Sequence, residues 1–262
     1  MKKLILKLKN LKRKGAVAIK QSLEDEGASF EDIKKMRMMT RSARLDLNVK
    51  IGGCEAKNDI FFCKSVGVDG IVSPMVESQY ALNKFIQTVV SNKKYSLYIN
   101  LESKLAFKNI GQIIKSKNFK LLRGIIIGRS DLAGSLGLSK KYVDSNLIYK
   151  KVFKILKTLK KKRKNNFICK MGGSLTYNSK EFINKLFEQK LLDRIETRNV
   201  EIFLNKKNIL NLKELITDAF EFELEWIKYK LKNARLNKSK MLSLDYTLRI
   251  KEIENRIRKN KD

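Results

Sequence analysis

Residues 95–137 read YSLYINLESKLAFKNIGQII, then a basic spacer KSKNFK, then LLRGIIIGRSDLAGSLG. This stretch predicts strand, helix and strand, because two short apolar runs, Leu97–Leu101 and Gly124–Ile127, flank apolar residues at helical spacing. A carboxylate follows each strand: Glu102 directly after the first, and Asp131 after the turn that leaves the second. In a parallel sheet, residues just beyond the carboxyl ends of neighbouring strands lie along one rim. We therefore expect Glu102 and Asp131 to converge, where two carboxylates would bind a hard divalent cation and would otherwise repel each other.

The same alternation of strand and helix extends over most of the chain and predicts the fold class. Further strands are expected at 16–20, 45–51, 68–76, 166–171 and 193–197, with 200–204 as a candidate for the eighth. Repeated βαβ units indicate a parallel sheet. The polar residues that could form a site follow strands, which favours an α/β structure of the (β/α)8 TIM-barrel type over an open sheet.

Both ends of the chain carry helical patterns outside this alternation. Residues 1–14 place Leu4, Leu8 and Leu11 on one face, which suits a helix packed on the barrel better than a transit-type or membrane-surface helix. Beyond the barrel domain, taken as 1–230, a helical tail at 231–262 is predicted. The helix at 209–231 has an apolar stripe that must be buried on its own barrel or on another subunit. We favour a homo-oligomer formed through the C-terminal helices.

The amino-acid composition limits the kinds of molecule that this protein is expected to bind. The 262 residues contain 58 Lys plus Arg and 27 Asp plus Glu, a formal charge of +31. Such a balance can indicate a nucleic acid, an anionic membrane or an anionic substrate. The lysines are scattered rather than clustered, so nucleic-acid binding ranks last among the functions considered. No apolar run approaches the roughly 20 residues that span a bilayer, so no membrane partner is expected.

The chain has no histidine, which excludes Ser-His-Asp triads, Cys-His dyads, histidine metal ligands and an imidazole base. Its three cysteines lack CxxC spacing and are expected to be free thiols in a reducing, cytoplasmic compartment.

Two other strand ends carry candidate residues. The acidic cluster Glu24-Asp25-Glu26 after the first strand is either a solvated helix start or an extra carboxylate group at the rim. Lys50 ends the second strand, before a Gly-Gly pair that is either an ordinary turn or a close approach to an anion. The glycine turn at 172–174 is a partial candidate for binding a phosphorylated sugar, and more simply a turn.

The motifs INLESKLAFKNIGQII and GIIIGRSDLAGSLG resemble the "IET…A…N…I" and "G-x-x-DL-x-x-S-x-G" blocks of the HpcH/HpaI aldolase and citrate lyase β-subunit family. VKIGGCEAKNDI and VGVDGIVSPMVES are similar to the two preceding strand ends of that family. The segments RIETR and FEFELEWIK resemble a subgroup found near surface-polysaccharide genes. The resemblance extends over about residues 16–230.

The resemblance implies a metal-dependent carbon–carbon lyase that acts on a keto acid or an acyl-CoA-type thioester through an enolate. It implies that Glu102 and Asp131 bind Mg2+ or Mn2+. It also implies that Gly128, Arg129 and Ser130 present backbone N–H groups to the substrate carboxylate. Lys50 stands where the family commonly has an arginine beside the enolate oxygen. A lysine is a point charge without the arginine fork, and its other interpretation is an interior ion pair with Glu24 or Glu26.

Two departures from the family pattern leave alternatives open. The aldolase branch is expected to use a His–Asp pair, so the base here would be a metal-bound hydroxide, a carboxylate such as Glu24 or Glu26, or a group from another subunit. The side chain of Arg129, where proline is common, could bind an anion or form a salt bridge at the rim. The alternative function is an inactive or repurposed barrel that acts as a binding or assembly protein in polysaccharide biosynthesis.

Overall fold

The computed structural model describes residues 1–24, 27–89, 95–161, 166–236 and 240–261. At its centre is a closed barrel whose eight strands are hydrogen-bonded in chain order, as the sequence predicts. The strands are β1 (Ala16–Ser22), β2 (Asp46–Lys50), β3 (Gly70–Ser73), β4 (Ser96–Leu101), β5 (Gly124–Gly128), β6 (Ile168–Gly172), β7 (Arg194–Glu196) and β8 (Val200–Phe203).

Helices surround the barrel and extend beyond it. In the described residues they are α1 (Lys2–Lys14), α2 (Phe30–Ala43), α3 (Lys57–Val66), α4 (Gln79–Val89), α5 (Lys104–Lys108), α6 (Ile110–Lys115), α7 (Arg129–Ser135), α8 (Asn146–Lys160), α9 (Lys180–Glu188), α10 (Lys206–Leu210), α11 (Leu212–Leu236) and α12 (Lys240–Lys261). Within the described residues, none of these helices combines the length and apolarity needed to cross a membrane.

The last strand departs from the expected parallel pattern. Each neighbouring pair from β1 to β7 is parallel, but β8 is antiparallel to both β7 and β1. The physical reason is the connection: only residues 197–199 separate β7 from β8. A parallel crossover needs a dozen or more residues, whereas a short turn joins antiparallel strands. The barrel therefore closes through a hairpin.

The main core lies between the outer face of the barrel and the helices. It is a large apolar cluster drawn from both layers, with members such as Ile19, Ile99 and Ile127 on strands and Met36, Phe85 and Leu156 on helices. A small separate apolar cluster is formed by Val72, Tyr98 and Ile126, with Ile168 packed against it.

Charged and polar side chains fill much of the remaining barrel interior. Glu201 on β8 accepts hydrogen bonds from Lys170 at 2.8 Å and from Asn48 at 2.5 Å, and Arg194 lies 3.4 Å away. The ammonium of Lys170 also lies 3.5 Å from the centre of the Tyr98 ring. Burial opposes the charge on Glu201, but Lys170, Arg194 and Asn48 together hold the pKa of its carboxyl below the ordinary value.

The terminal helices pack within the chain. Leu4, Leu8 and Leu11 of α1 are buried, and α1 lies against α2 and α11, as predicted for the N-terminal segment. The apolar stripe of α11, including Phe220 and Trp226, is buried in the chain rather than left for a neighbouring subunit. The predicted domain division at residue 230 falls inside α11 and stays a prediction, as does homo-oligomer formation.

Candidate active site

A pocket opens at the carboxyl ends of the parallel strands, where such barrels place their functional groups. Its wall is built by residues at or near the ends of β1, β2, β4 and β5, by the segments that follow β5, β6 and β7, and by one residue of α12. The lining contains five cationic and three acidic side chains, so the pocket suits an anionic ligand. The cationic side chains are Lys20, Lys50, Lys140, Arg198 and Arg256, and the acidic ones are Glu102, Asp131 and Glu196.

Glu102 follows β4 and is buried, with 3% of its surface exposed. Its Oε1 accepts the backbone N–H of Met75 at 3.0 Å, and its Oε2 accepts Nδ2 of Asn100 at 2.9 Å. Gly128 on β5 leaves room for this carboxylate, since a Cβ there would lie 2.6 Å from Oε2. Burial raises the pKa of Glu102, while Lys50 and the two hydrogen bonds oppose the shift and Asp131 adds to it.

Asp131 lies in the same pocket as Glu102, as expected from the two strand ends. It belongs to the first turn of α7, directly beyond β5, and is more exposed than Glu102. Ser130 beside it shares a 2.8 Å hydrogen bond with Ser174 Oγ. Gly173, at φ +84°, packs close to this turn: a Cβ there would lie 2.6 Å and 2.5 Å from the backbone nitrogens of Arg129 and Ser130. The glycine therefore keeps the approach to those two nitrogens free of a side chain.

The position of Lys50 is compatible with both interpretations that the sequence left open, a cation in the pocket and a partner of an acidic side chain. It lines the pocket at the end of β2, and its charge acts on Glu102. Its Nζ also lies 3.1 Å from Oε2 of Glu24. The Glu24 side chain is 43% exposed, so this pair lies at the edge of the site. Glu26, the other candidate base from the acidic cluster, lies outside the described residues.

The side chain of Arg129 forms a buried salt bridge and does not line the pocket. It is fully buried and donates to the carbonyl oxygens of Gly172 and Gly173 and to Ser179 Oγ, each at 3.2 Å. It also pairs with Asp144. Of the two roles considered for this side chain, the salt bridge is the one observed. The backbone role predicted for Gly128, Arg129 and Ser130 stays a prediction.

Sequence reasoning did not assign several residues that line this pocket. Glu196 ends β7, and its Oε1 lies 2.5 Å from Nζ of Lys20, which comes from β1. Both stand at or near strand ends, a signal that could have identified them. Asn100, two residues before Glu102, also lines the pocket. Arg256 comes from α12, and nothing local in the sequence indicates that this helix returns to the barrel mouth.

The C-terminal helices hold one side of the site in place. Glu223 of α11 accepts Thr197 Oγ1 at 2.6 Å and the backbone N–H of Asn199 at 2.8 Å, which fixes the turn after Glu196. On α12, Asn260 accepts the backbone N–H of Tyr177 at 3.0 Å and donates to Thr217 of α11 at 2.8 Å. These contacts position α12 so that Arg256 reaches the pocket.

The pocket supplies some, but not all, of the oxygen ligands that a divalent cation needs. Across the part of the chain that the structure describes, no group of three or more His, Cys, Asp or Glu side chains could hold a metal ion. Glu102 and Asp131 supply two carboxylates, and the buried Oδ1 of Asn100 has no hydrogen-bond partner within the described ranges. Mg2+ is commonly held by one or two carboxylates, with substrate and water oxygens completing its shell. The residues therefore fit a cation whose remaining ligands come from the substrate.

Comparison with known proteins gives a family match. The model of the family described as HpcH/HpaI aldolase/citrate lyase matches residues 38–169, which is half of the chain and includes Lys50, Glu102 and Asp131. No curated protein is significantly similar in sequence.

Several solved structures share the fold. The citrate synthase SbnG is 14% identical and aligns over 74% of this chain and 81% of its own, with a TM-score of 0.60. An HpcH/HpaI aldolase from Desulfitobacterium hafniense DCB-2 is 11% identical over 68% and 75% of the two chains, with a TM-score of 0.56. A family protein from Burkholderia cenocepacia J2315 is 10% identical over 77% and 84%, with a TM-score of 0.56. At these identities the structures establish the fold alone.

Proposed function

Because this chain belongs to the HpcH/HpaI aldolase/citrate lyase family, we propose that it is a metal-dependent carbon–carbon lyase that acts on a keto acid or an acyl thioester through an enolate. The observation that carries the proposal is the presence of Glu102 and Asp131 in one pocket at the carboxyl ends of β4 and β5. Two carboxylates in one pocket repel each other unless a cation or a proton lies between them.

Each group of pocket residues would have its own role in this reaction. Glu102 and Asp131 would hold Mg2+ or Mn2+, which when bound supplies positive charge to stabilise a developing enolate. The backbone N–H groups of Gly128, Arg129 and Ser130 would orient the substrate carboxylate. Lys50 would place a second positive charge beside the enolate oxygen, and its pairing with Glu24 would hold its ammonium at the rim. The cationic lining would attract an anionic substrate.

Metal-dependent exchange of substrate protons tests this function. We expect the full-length protein, with Mg2+ or Mn2+ in D2O, to exchange the methyl protons of pyruvate or acetyl-CoA for deuterium, as followed by NMR. Glu102→Gln and Asp131→Asn should each lose metal binding, measured by calorimetry, because one of two carboxylate ligands is removed. The matched control is Glu188→Gln, an exposed carboxylate on α9.

Two results would contradict the proposal. One is metal binding that survives both substitutions. The other is the absence of exchange with either substrate and either metal while the protein is folded. The second result would favour the alternative, a repurposed barrel that acts as a binding or assembly protein in polysaccharide biosynthesis. The absence of histidine is the observation that favours this alternative, since it removes the imidazole base expected of the aldolase branch.

The remaining expectations are also proposals. We propose a reducing, cytoplasmic setting, which is consistent with Cys54, Cys63 and Cys169 being free thiols. We also propose a homo-oligomer.

A further inference from the structure

Glu196, which ends β7, has an unusual environment for a carboxylate. It lines the pocket, although only 2% of its surface is exposed. Its Oε1 lies 2.5 Å from Nζ of Lys20, whereas its Oε2 is buried and has no hydrogen-bond partner among residues that the structure describes. Leaving a buried charged oxygen without a partner is costly, so such an atom calls for a functional explanation.

The surroundings hold this side chain in position. Gly172 on the neighbouring strand makes room for it, since a Cβ there would lie 2.8 Å from Cγ of Glu196. The turn after Glu196 is fixed by the hydrogen bonds of Thr197 and Asn199 to Glu223. The side chain is thus held at the pocket wall by the strand, the glycine and α11, which is the kind of support that a catalytic group needs.

The charged groups around Glu196 come from three strands. Lys20 on β1 contacts it directly. Lys170 on β6 is close enough for its charge to interact with that of Glu196. Glu201 on β8 is the cross-strand partner of Glu196. Glu201 is itself engaged by Lys170 at 2.8 Å, and Glu196 contacts Lys20 at 2.5 Å.

We propose that Glu196 is the base that removes the proton next to the substrate carbonyl, with Lys20 as its positioning residue. The proposal rests on the proposed lyase function. The C–H bond breaks, its electron pair becomes the C=C bond of the enolate, and the carbonyl oxygen takes the negative charge. The proton forms an O–H bond with the carboxylate of Glu196 at the pocket wall, so the carboxylate becomes a carboxylic acid. The reverse transfer returns the proton to carbon.

The other carboxylates near the site are less suited to this step. Glu102 and Asp131 are assigned to the cation. Glu24 is 43% exposed, paired with Lys50, and does not line the pocket. The chain has no histidine, and Glu196 is the carboxylate of the pocket lining, among the described residues, that is not assigned to the cation.

Glu196→Gln in the full-length protein tests the assignment, because glutamine keeps the shape and removes the base. We expect exchange of the pyruvate or acetyl-CoA methyl protons in D2O with Mg2+ to fall by about 10²- to 10⁴-fold, the usual contribution of a general base. The Kd for the same ligand with Mg2+, measured by calorimetry, should stay at the wild-type value. Glu188→Gln is the matched control. Glu24→Gln removes the other candidate base. Lys20→Met should slow exchange less than Glu196→Gln does.

The outcomes separate this inference from the proposed function. Wild-type exchange that Glu196→Gln leaves unchanged, or that only Glu24→Gln removes, overturns the role of Glu196 and leaves the lyase proposal intact. A parallel loss of ligand binding and exchange also overturns it, since Glu196 would then only support the site. Absence of exchange in the wild type overturns both. If Glu196→Gln does not fold, Glu196→Asp replaces it, and exchange at the wild-type rate would count against the assignment.

Discussion

Lys170 is a fully buried cation inside the barrel, beneath the pocket. Burial lowers the pKa of its ammonium, and the nearby Glu201 and Glu196 carboxylates oppose that shift. Its 2.8 Å contact with Glu201 is fully desolvated, since neither side chain is exposed. In such a pair the attraction compensates a large desolvation cost, so the two charges depend on each other.

Lys170→Met should therefore destabilise the protein by about 3 kcal/mol, at the lower end of the range for breaking a buried pair, because Arg194 and Asn48 still contact Glu201. The double variant Lys170→Met, Glu201→Gln should regain most of this loss, since it removes the orphaned charge. Urea unfolding of the two variants and the wild type measures both effects. If Lys170→Met lowered the free energy of unfolding by less than about 1 kcal/mol, the pair would behave like a solvent-exposed one, which would contradict its burial.

At the scale of the elements, α11 is coupled to the active site through Glu223. This carboxyl is buried and accepts hydrogen bonds from the turn between β7 and β8. Burial raises its pKa, while the hydrogen bonds from Thr197 and Asn199 oppose the shift. A carboxyl whose pKa is higher in the folded state binds more protons when folded. Its ionisation therefore lowers stability as the pH rises from the ordinary carboxyl pKa through the raised one.

Glu223→Gln removes this titration and keeps an oxygen that can accept both hydrogen bonds. We expect the free energy of unfolding of the variant, relative to the wild type, to increase as the pH is raised from about 4 to about 8, since the wild type alone takes on a buried charge. Urea unfolding across that range measures the difference, with Glu188→Gln as an exposed control. Parallel pH profiles for Glu223→Gln and the wild type would contradict the assignment.

For the whole molecule, the dominant electrostatic feature is the formal charge of +31. Local ion pairs offset part of it, for example between α1 and α11, where Lys14 contacts Glu214 and Asp218 and Lys7 contacts Glu221. The large excess of cations still repels itself in the compact state.

We expect added salt to stabilise the protein, because the Debye length falls from about 30 Å at 0.01 M to about 10 Å at 0.1 M and screens this repulsion. A gain of about 1 kcal/mol would raise Tm by about 2–4 °C in a chain of this size. Calorimetry in NaCl measures the shift, and KCl at equal ionic strength should give the same value if screening is the cause. A Tm that falls with salt would mean that the surface ion pairs outweigh the repulsion.

Much of the barrel follows from local patterns. Short, largely apolar runs predict most strands to within two residues at each end, because the strand faces that pack against the helices are apolar. The third strand is shorter than predicted, Gly70–Ser73 rather than 68–76, because Pro74 and the turn at Met75, with φ 49°, end it. The helix expected between the strands that precede Glu102 and Asp131 divides at Asn109 into α5 and α6.

The sequence by itself determined that Glu102 and Asp131 share one rim, since parallel strands direct their carboxyl ends the same way, Glu102 directly follows β4 and Asp131 lies three residues beyond β5. The antiparallel direction of β8 also has its cause in the sequence, because the three residues between β7 and β8 are too few for a parallel crossover. Only the tertiary structure decided that Lys20 meets Glu196, that Arg129 is enclosed and that Arg256 reaches the pocket. These contacts join residues far apart in the chain, and their partners depend on barrel closure and on how α11 and α12 pack, which no local pattern specifies.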